Sequence, residues 1–259
     1  MSRVLVAIPA IIVAIVFVKA GGPAFAILMI ALGGVCMHEL YTMLERWRPV
    51  PIAGFVALAG LVAAAQYGHQ RQVLLVGMAA VPVVFLFVVA QPRKGGATVT
   101  IAGTMLGIYW IGFAFAHAVL LRRLPHGGAL VIDVLIGTFL GDTAAYLGGR
   151  AFGRRPLAPT ISPKKTVEGL FCGILVAILG VFSAGLYQDW LSQGHALLLG
   201  LSAALLGPVG DLFESLVKRD AGAKDAGTLF GAHGGALDRL DAVMFTIVAG
   251  YYVASAFVH

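Results

Sequence analysis

The stretch VLLVGMAAVPVVFLFVVAQ, residues 73–91, contains no charged side chain and is long enough to cross a bilayer. A helical crossing takes roughly 20 apolar residues. Runs of this kind recur along all 259 residues, of which 59% are hydrophobic and only 12% Asp, Glu, Lys or Arg, and the mean hydropathy is +0.93. No soluble domain has that balance. Candidate spans lie at about 4–18, 23–44, 52–66, 73–91, 98–120, 129–148, 168–187, 195–217 and 237–258, most of them separated by Gly, Pro or basic residues. Strand alternation is absent and lipid requires the backbone to satisfy its own hydrogen bonds, so helices are expected. The expected architecture is an all-α polytopic integral membrane protein of about nine transmembrane helices.

The first run follows Arg3 and could imitate a signal peptide, but no clear A-x-A site follows it, so a retained helix is expected. Cys36 and Cys172 both fall inside apolar runs, which offers neither a disulfide framework nor a CxxC metal site. The net charge of +6 is read as topology signalling rather than nucleic-acid binding. With the N-terminus in the cytoplasm, nine spans leave only Lys19, Arg71, Arg122 and Arg123 of the 18 basic residues outside. The adjacent Arg122 and Arg123 violate the rule.

Only Glu39 and Glu45 of the 12 acidic residues precede residue 133, so the chemistry is expected in the C-terminal half. This divides the chain into scaffold helices, 1–128, and a catalytic membrane region, 129–259, holding motifs at 141–169 and 211–241. His38, Glu39 and Tyr41 form a polar cluster that suits either a lipid headgroup or a helix end at the interface. Glycine pairs such as Gly148-Gly149 suit close helix packing better than a nucleotide loop.

In GPVGDLFESLVKRD, Pro208 and Gly210 are expected to loosen the entry to a helix on which Asp211, Glu214, Ser215 and Lys218 share a face at i, i+3, i+4 and i+7. Glu214 with Lys218 could be a simple ion pair. Ionisable residues at membrane depth are nevertheless rare and usually functional. A glycine-containing loop follows with Lys218-Arg219 and Lys224-Asp225, offering donors for polyphosphate oxygens. HGGALDRLDA then opens the last span at His233, with Asp238 and Asp241 one turn apart in its first turns. Asp at 220, 225, 238 and 241, beside Asp211 and Glu214, would repel one another without cations. Hard carboxylate oxygens gathered near Lys and Arg point to Mg²⁺ carrying a phosphate chain.

A second charged segment precedes it. Asp142 and Tyr146 lie one turn apart, and Ser162-Pro163-Lys164-Lys165-Thr166 with Glu168 leads into the next span. A P-loop is rejected, because G-x-x-x-x-G is missing and no strand is expected to lead in.

The chain resembles the phosphatidate cytidylyltransferases, also called CDP-diacylglycerol synthases. Ser215, Lys218, Arg219, Lys224, Asp225, His233, Gly234, Gly235, Asp238, Arg239 and Asp241 fill that family's signature in register. Gly210-Asp211, Glu214, the Asp142–Tyr146 element and the Ser162–Gly169 element match as well. Gly231-Ala232 stands where Pro-Gly is usual, and Ala236 where a larger apolar residue is usual. The similarity covers 137–245 closely and the first 130 residues only in hydropathy.

The resemblance implies transfer of CMP from CTP to phosphatidate, giving CDP-diacylglycerol and pyrophosphate, by a homodimer of nine-helix subunits in a bacterial inner membrane, with the active site on the cytoplasmic side. Asp211 and Asp238 would bind Mg²⁺, supported by Asp225 and Asp241, with a second, monovalent cation conceivable. Lys218, Arg219, Lys224 and Arg239 would neutralise the phosphates of CTP and lipid. Ser162, Lys164, Lys165, Ser215 and Asp142 would contact substrate, and His233 would orient a phosphate or brace its loop. A CTP-dependent polyprenol kinase and an ion-coupled transporter are the competing readings; neither accounts for the full signature.

Overall fold

The computed structural model describes residues 12–91, 95–227 and 234–258. These are almost entirely helical. Residues 12–20 are helical and are followed by α1 (Gly22–Met43), a 3₁₀ turn (Glu45–Trp47), α2 (Pro51–Tyr67), α3 (Gln70–Val89), α4 (Ala97–Gly107), a π-helical turn (Ile108–Gly112) and α5 (Phe113–Arg123). Next come α6 (Gly127–Phe152), a hairpin of β1 (Pro156–Ala158) and β2 (Ser162–Thr166), α7 (Val167–Gly185), α8 (Gln193–Ala221) and α9 (Leu237–Ser255).

Among the described residues, six helical segments are long and apolar enough to cross a membrane: Gly22–Met43, Gln70–Val89, Ala97–Arg123, Gly127–Phe152, Val167–Gly185 and Gln193–Ala221. The 27-residue segment Ala97–Arg123 runs through the π-helical turn. Pro51–Tyr67 is apolar but shorter, and the last helix carries Asp238, Arg239 and Asp241 in its first turns. Most of the expected first span, 4–18, and the cations Arg3, Arg93 and Lys94 lie outside the described residues. Large apolar side chains on α3 (Met78, Leu86, Val89) and α7 (Phe171, Leu175) are exposed in the way a lipid-facing surface requires.

The chain forms two compact units, one comprising the described residues up to Arg123 with Asp225–Asp238, the other Leu124–Lys224 with Arg239 onward. In the first, Tyr41 is the hub. Its hydroxyl donates to the Thr104 carbonyl at 2.8 Å, while its ring occupies the space where Gly54 and Gly107 lack side chains. Thr104 Oγ1 accepts the Val50 N–H at 2.9 Å, and Thr100 Oγ1 donates to the Trp47 carbonyl at 2.9 Å, so the 3₁₀ turn and the start of α2 are tied to α4. At the end of α5, Arg122 donates to the carbonyls of Val18 and Lys19, and Arg123 to those of Ala65 and Gly68. The pair that breaks the charge rule therefore caps the carboxyl ends of two neighbouring helices, where the carbonyls lack partners and the dipole is negative.

In the second unit, α6 and α7 meet along small residues. A Cβ on Gly148 would lie 2.5 Å from Cys172, one on Gly173 2.8 Å from the Gly141 carbonyl, and one on Gly169 2.6 Å from the Ala145 carbonyl. Such surfaces let membrane helices approach closely where no hydrophobic drive exists between them. The seam between α8 and α9 works likewise, since a Cβ on Gly210 would lie 2.6 Å from the Asp241 carbonyl. Thr138 donates to Thr246 at 2.8 Å, and Gln188 to both oxygens of buried Asp133 at 2.9 and 3.0 Å.

Two expectations about backbone need correction. Pro208 does not loosen the entry to a helix; it lies inside one 29-residue helix. The helix continues through it with one backbone N–H missing. Nor is the chain free of strands, for β1 and β2 pair antiparallel and β2 carries Ser162, Lys164 and Lys165.

Candidate active site

Elements of the second unit bring several of the charged motifs together. The N-terminal part of α7 fixes the hairpin: Thr166 Oγ1 caps the helix by accepting the Gly169 N–H at 3.2 Å, and Glu168 Oε2 accepts the Arg154 and Arg155 N–H groups at 2.9 and 3.2 Å. Thr166, Glu168 and Gly169 are thus scaffolding within their motif. Lys165 reaches beyond its own motif. Its Nζ lies 2.5 Å from Asp211 Oδ2 on α8, joining two motifs 46 residues apart. Strand alternation directs Lys164 to the other side, where it is exposed. The link is reinforced by Arg219, whose Nε donates to the Ile161 carbonyl in the hairpin turn at 3.4 Å.

One turn below Asp211, Glu214 is 1% exposed and Lys218 holds its Oε2 at 2.6 Å. The i,i+4 pair anticipated from spacing is therefore real and buried. Asp241 on α9 is buried, with Glu214 in hydrogen-bonding reach and Asp211 and Lys218 nearby. Asp142 on α6 feels Asp211, Asp241 and Lys165. The outcome links β2, α8 and α9: Lys165 meets Asp211, Lys218 meets Glu214 beside Asp241, and Asp142, exposed on α6, stands within electrostatic range. Gly210 makes it possible, because a side chain there would hold Asp211 away from Asp241.

Of the remaining signature residues, Asp225 and Asp238 lie in the first unit. Asp238 accepts N–H groups from Ala226 at 2.9 Å and Gly235 at 2.7 Å, and Asp225 and Lys224 are exposed. Ser215 is half-buried and Arg239 exposed. His233 lies outside the described residues. A contact that spacing did not reveal belongs to Glu39: its carboxylate accepts N–H groups at the start of α9, from far along the chain and with no local sequence signal.

Among the described residues, no three His, Cys, Asp or Glu side chains converge as an ion's coordination sphere. Lys165 and Lys218 instead hold the carboxylates. The donors remain hard oxygens, the chemistry a divalent cation of the Mg²⁺ type selects.

An all-α membrane protein with paired carboxylates and ammonium groups packed into one site is the class that fold and geometry define. The Cytidylyltransferase family model matches residues 1–257. A Bacillus subtilis protein named phosphatidate cytidylyltransferase is 31% identical over 265 residues, covering 99% of this chain and 98% of that protein. A Staphylococcus epidermidis protein of the same name is 30% identical over 253 residues, covering 95% of each. The Escherichia coli protein YnbB, named as uncharacterized, is 39% identical over 158 residues, which are 58% of this chain and 53% of that protein. The chain belongs to the cytidylyltransferase family and is a nucleotidyltransferase.

Proposed function

We propose that this protein transfers CMP from CTP to phosphatidate, forming CDP-diacylglycerol and pyrophosphate for phospholipid synthesis. The observation that supports the reading is the contact of Lys165 with Asp211, an ammonium group of one motif against a carboxylate of the other. An oxygen of the phosphatidate phosphate attacks the α-phosphorus of CTP, the bond to the β-phosphate oxygen breaks, and pyrophosphate leaves with that electron pair. A phosphate monoester is already a nucleophile at neutral pH, so positioning and charge compensation are the main demands. Lys165 and Lys218 can move from carboxylate to phosphate partners as substrate enters, with Arg219, Lys224 and Arg239 as further cations. Ser162 and Ser215 offer hydroxyl donors, and Lys164 adds charge at the exposed face of β2.

Asp211 and Asp238 would hold a Mg²⁺ ion, with Asp225 and Asp241 in support, and the ion would neutralise phosphate charge. We further assign the chemistry to region 129–259 on the cytoplasmic side, the N-terminus to the cytoplasm, and the assembly to a homodimer. The capping roles of Arg122 and Arg123 support that orientation by explaining the two charges that oppose it.

Labelled CTP tests the reaction in detergent. Label at the α position must enter the lipid, and label at the γ position must leave in pyrophosphate. Phosphatidate must be required, with diacylglycerol unable to replace it. Transfer of γ label would make the protein a kinase, and transfer of neither would remove the reading altogether.

A further inference from the structure

Glu39 is 7% exposed on α1 and stands far outside the charged signature. Its Oε1 accepts the Ala236 N–H at 3.0 Å and its Oε2 the Leu237 N–H at 2.8 Å. Leu237 is the first residue of α9, so these are N–H groups that an α-helix cannot satisfy by itself. A carboxylate there also meets the positive end of the helix dipole. Glu39 therefore performs, from 197 residues away, the task a local Asp or Ser performs at an ordinary helix start.

Two glycines are shaped to this carboxylate. A Cβ on Gly235 would lie 2.4 Å from Glu39 Oε2, and one on Gly227 2.5 Å from Oε1. Asp238 completes the arrangement by binding the N–H groups of Ala226 and Gly235. Two carboxylates thus clamp both stretches flanking residues 228–233, and every residue named lies in the same compact unit.

We infer that Glu39 is a positioning residue for cytidylyl transfer, holding the start of α9 so that Asp238 stands in its working place. The inference rests on the function proposed above. Both oxygens accept, so the amide of Gln cannot substitute: its NH₂ would face an N–H, donor against donor.

The test compares wild type, E39Q and G227A in detergent by amide hydrogen exchange and by steady-state kinetics well below the melting temperature. Gly227 is not part of the signature, and its added methyl presses on the same carboxylate from another side. Exchange over residues 234–240 should accelerate in both variants while that of 200–215 stays as in wild type, and kcat should fall about tenfold or more, with KM for CTP changed less than about twofold. Accelerated exchange with wild-type kcat would show a structural cap only and overturn the inference, as would unaltered exchange. Should E39Q fail to accumulate, G227A decides. Wild type that transfers no α label refutes the function instead, an outcome separate from either variant result.

Discussion

Replacing Gly210 by Ala tests whether a single packing contact sets the geometry of the site. The new Cβ would sit 2.6 Å from the Asp241 carbonyl, 3.1 Å from Ala242 Cα and 3.0 Å from Phe245 Cδ2. Two of these are backbone atoms that cannot rotate away. Ordinary contact begins near 3.4 Å, so α8 and α9 must separate by about 0.8 Å beside Asp211 and Asp241. Overpacking costs about 1–3 kcal/mol, against which Ala gains roughly 1 kcal/mol in helix propensity, leaving a net loss of about 0–2 kcal/mol. Catalysis is more sensitive, since a displacement near 1 Å can lower turnover about 100-fold. G210A should therefore lose about 10- to 100-fold in kcat/KM while its melting temperature falls by only a few degrees. Gly207 lies one turn away on α8, but a Cβ there would rest 3.6 Å from Thr246 Cγ2, an ordinary contact. G207A should keep wild-type kinetics. Phosphatidate-dependent turnover and thermal melts of both variants, purified in the same detergent, make the comparison. Equal activities for G210A and wild type, or equal damage from both substitutions, would refute the reasoning.

Lys165 and Lys164 are adjacent cations, yet only Lys165 meets Asp211. K165A should lose about 100-fold or more in kcat, the scale for removing one donor to developing charge, and K164A less than about threefold in kcat/KM; steady-state kinetics of the pair decide. D211N should insert normally but lose activity by orders of magnitude, and near-normal turnover at limiting Mg²⁺ would remove Asp211 from the metal set. R122A should lower the melting temperature by several degrees through lost charged hydrogen bonds to helix ends, worth about 1.5–3 kcal/mol each, while leaving kcat and KM at wild-type values.

What could be read in advance follows the range of the forces involved. Membrane helices announce themselves through twenty neighbouring residues, which is why 73–91 and 168–187 closely match the helices Gln70–Val89 and Val167–Gly185. The face shared by Asp211, Glu214 and Lys218 follows from helical spacing alone, and the Glu214–Lys218 ion pair confirms it. Gly210 was misread for the opposite reason. A glycine beside a proline suggests a break, whereas its purpose depends on Asp241, which only the folded chain brings near. Lys165 and Asp211 likewise belong to separate motifs, and no periodicity links them. The hairpin at 156–166 is too short, and too rich in Pro, to show strand alternation. Within its motif, the resemblance assigns Lys165 to substrate and leaves Thr166 and Glu168 without a part, and the folded chain shows these two shaping the backbone. Glu39 stands out in the sequence only as part of a polar cluster with His38 and Tyr41, suited to a headgroup or a helix end, because its partners Ala236 and Leu237 are brought near only by folding.

The length of α8 bears on how a lipid is served. From Gln193 to Gly210 the helix is almost wholly apolar, and at 1.5 Å per residue those turns rise about 27 Å, nearly the full hydrocarbon thickness. Asp211, Glu214 and Lys218 thus begin where the acyl chains end, at the depth of a phospholipid's own phosphate. A lipid can be presented to these residues by lateral diffusion, with its tails still dissolved in the leaflet. Turnover in mixed micelles should accordingly follow the mole fraction of phosphatidate in the micelle surface rather than its bulk concentration.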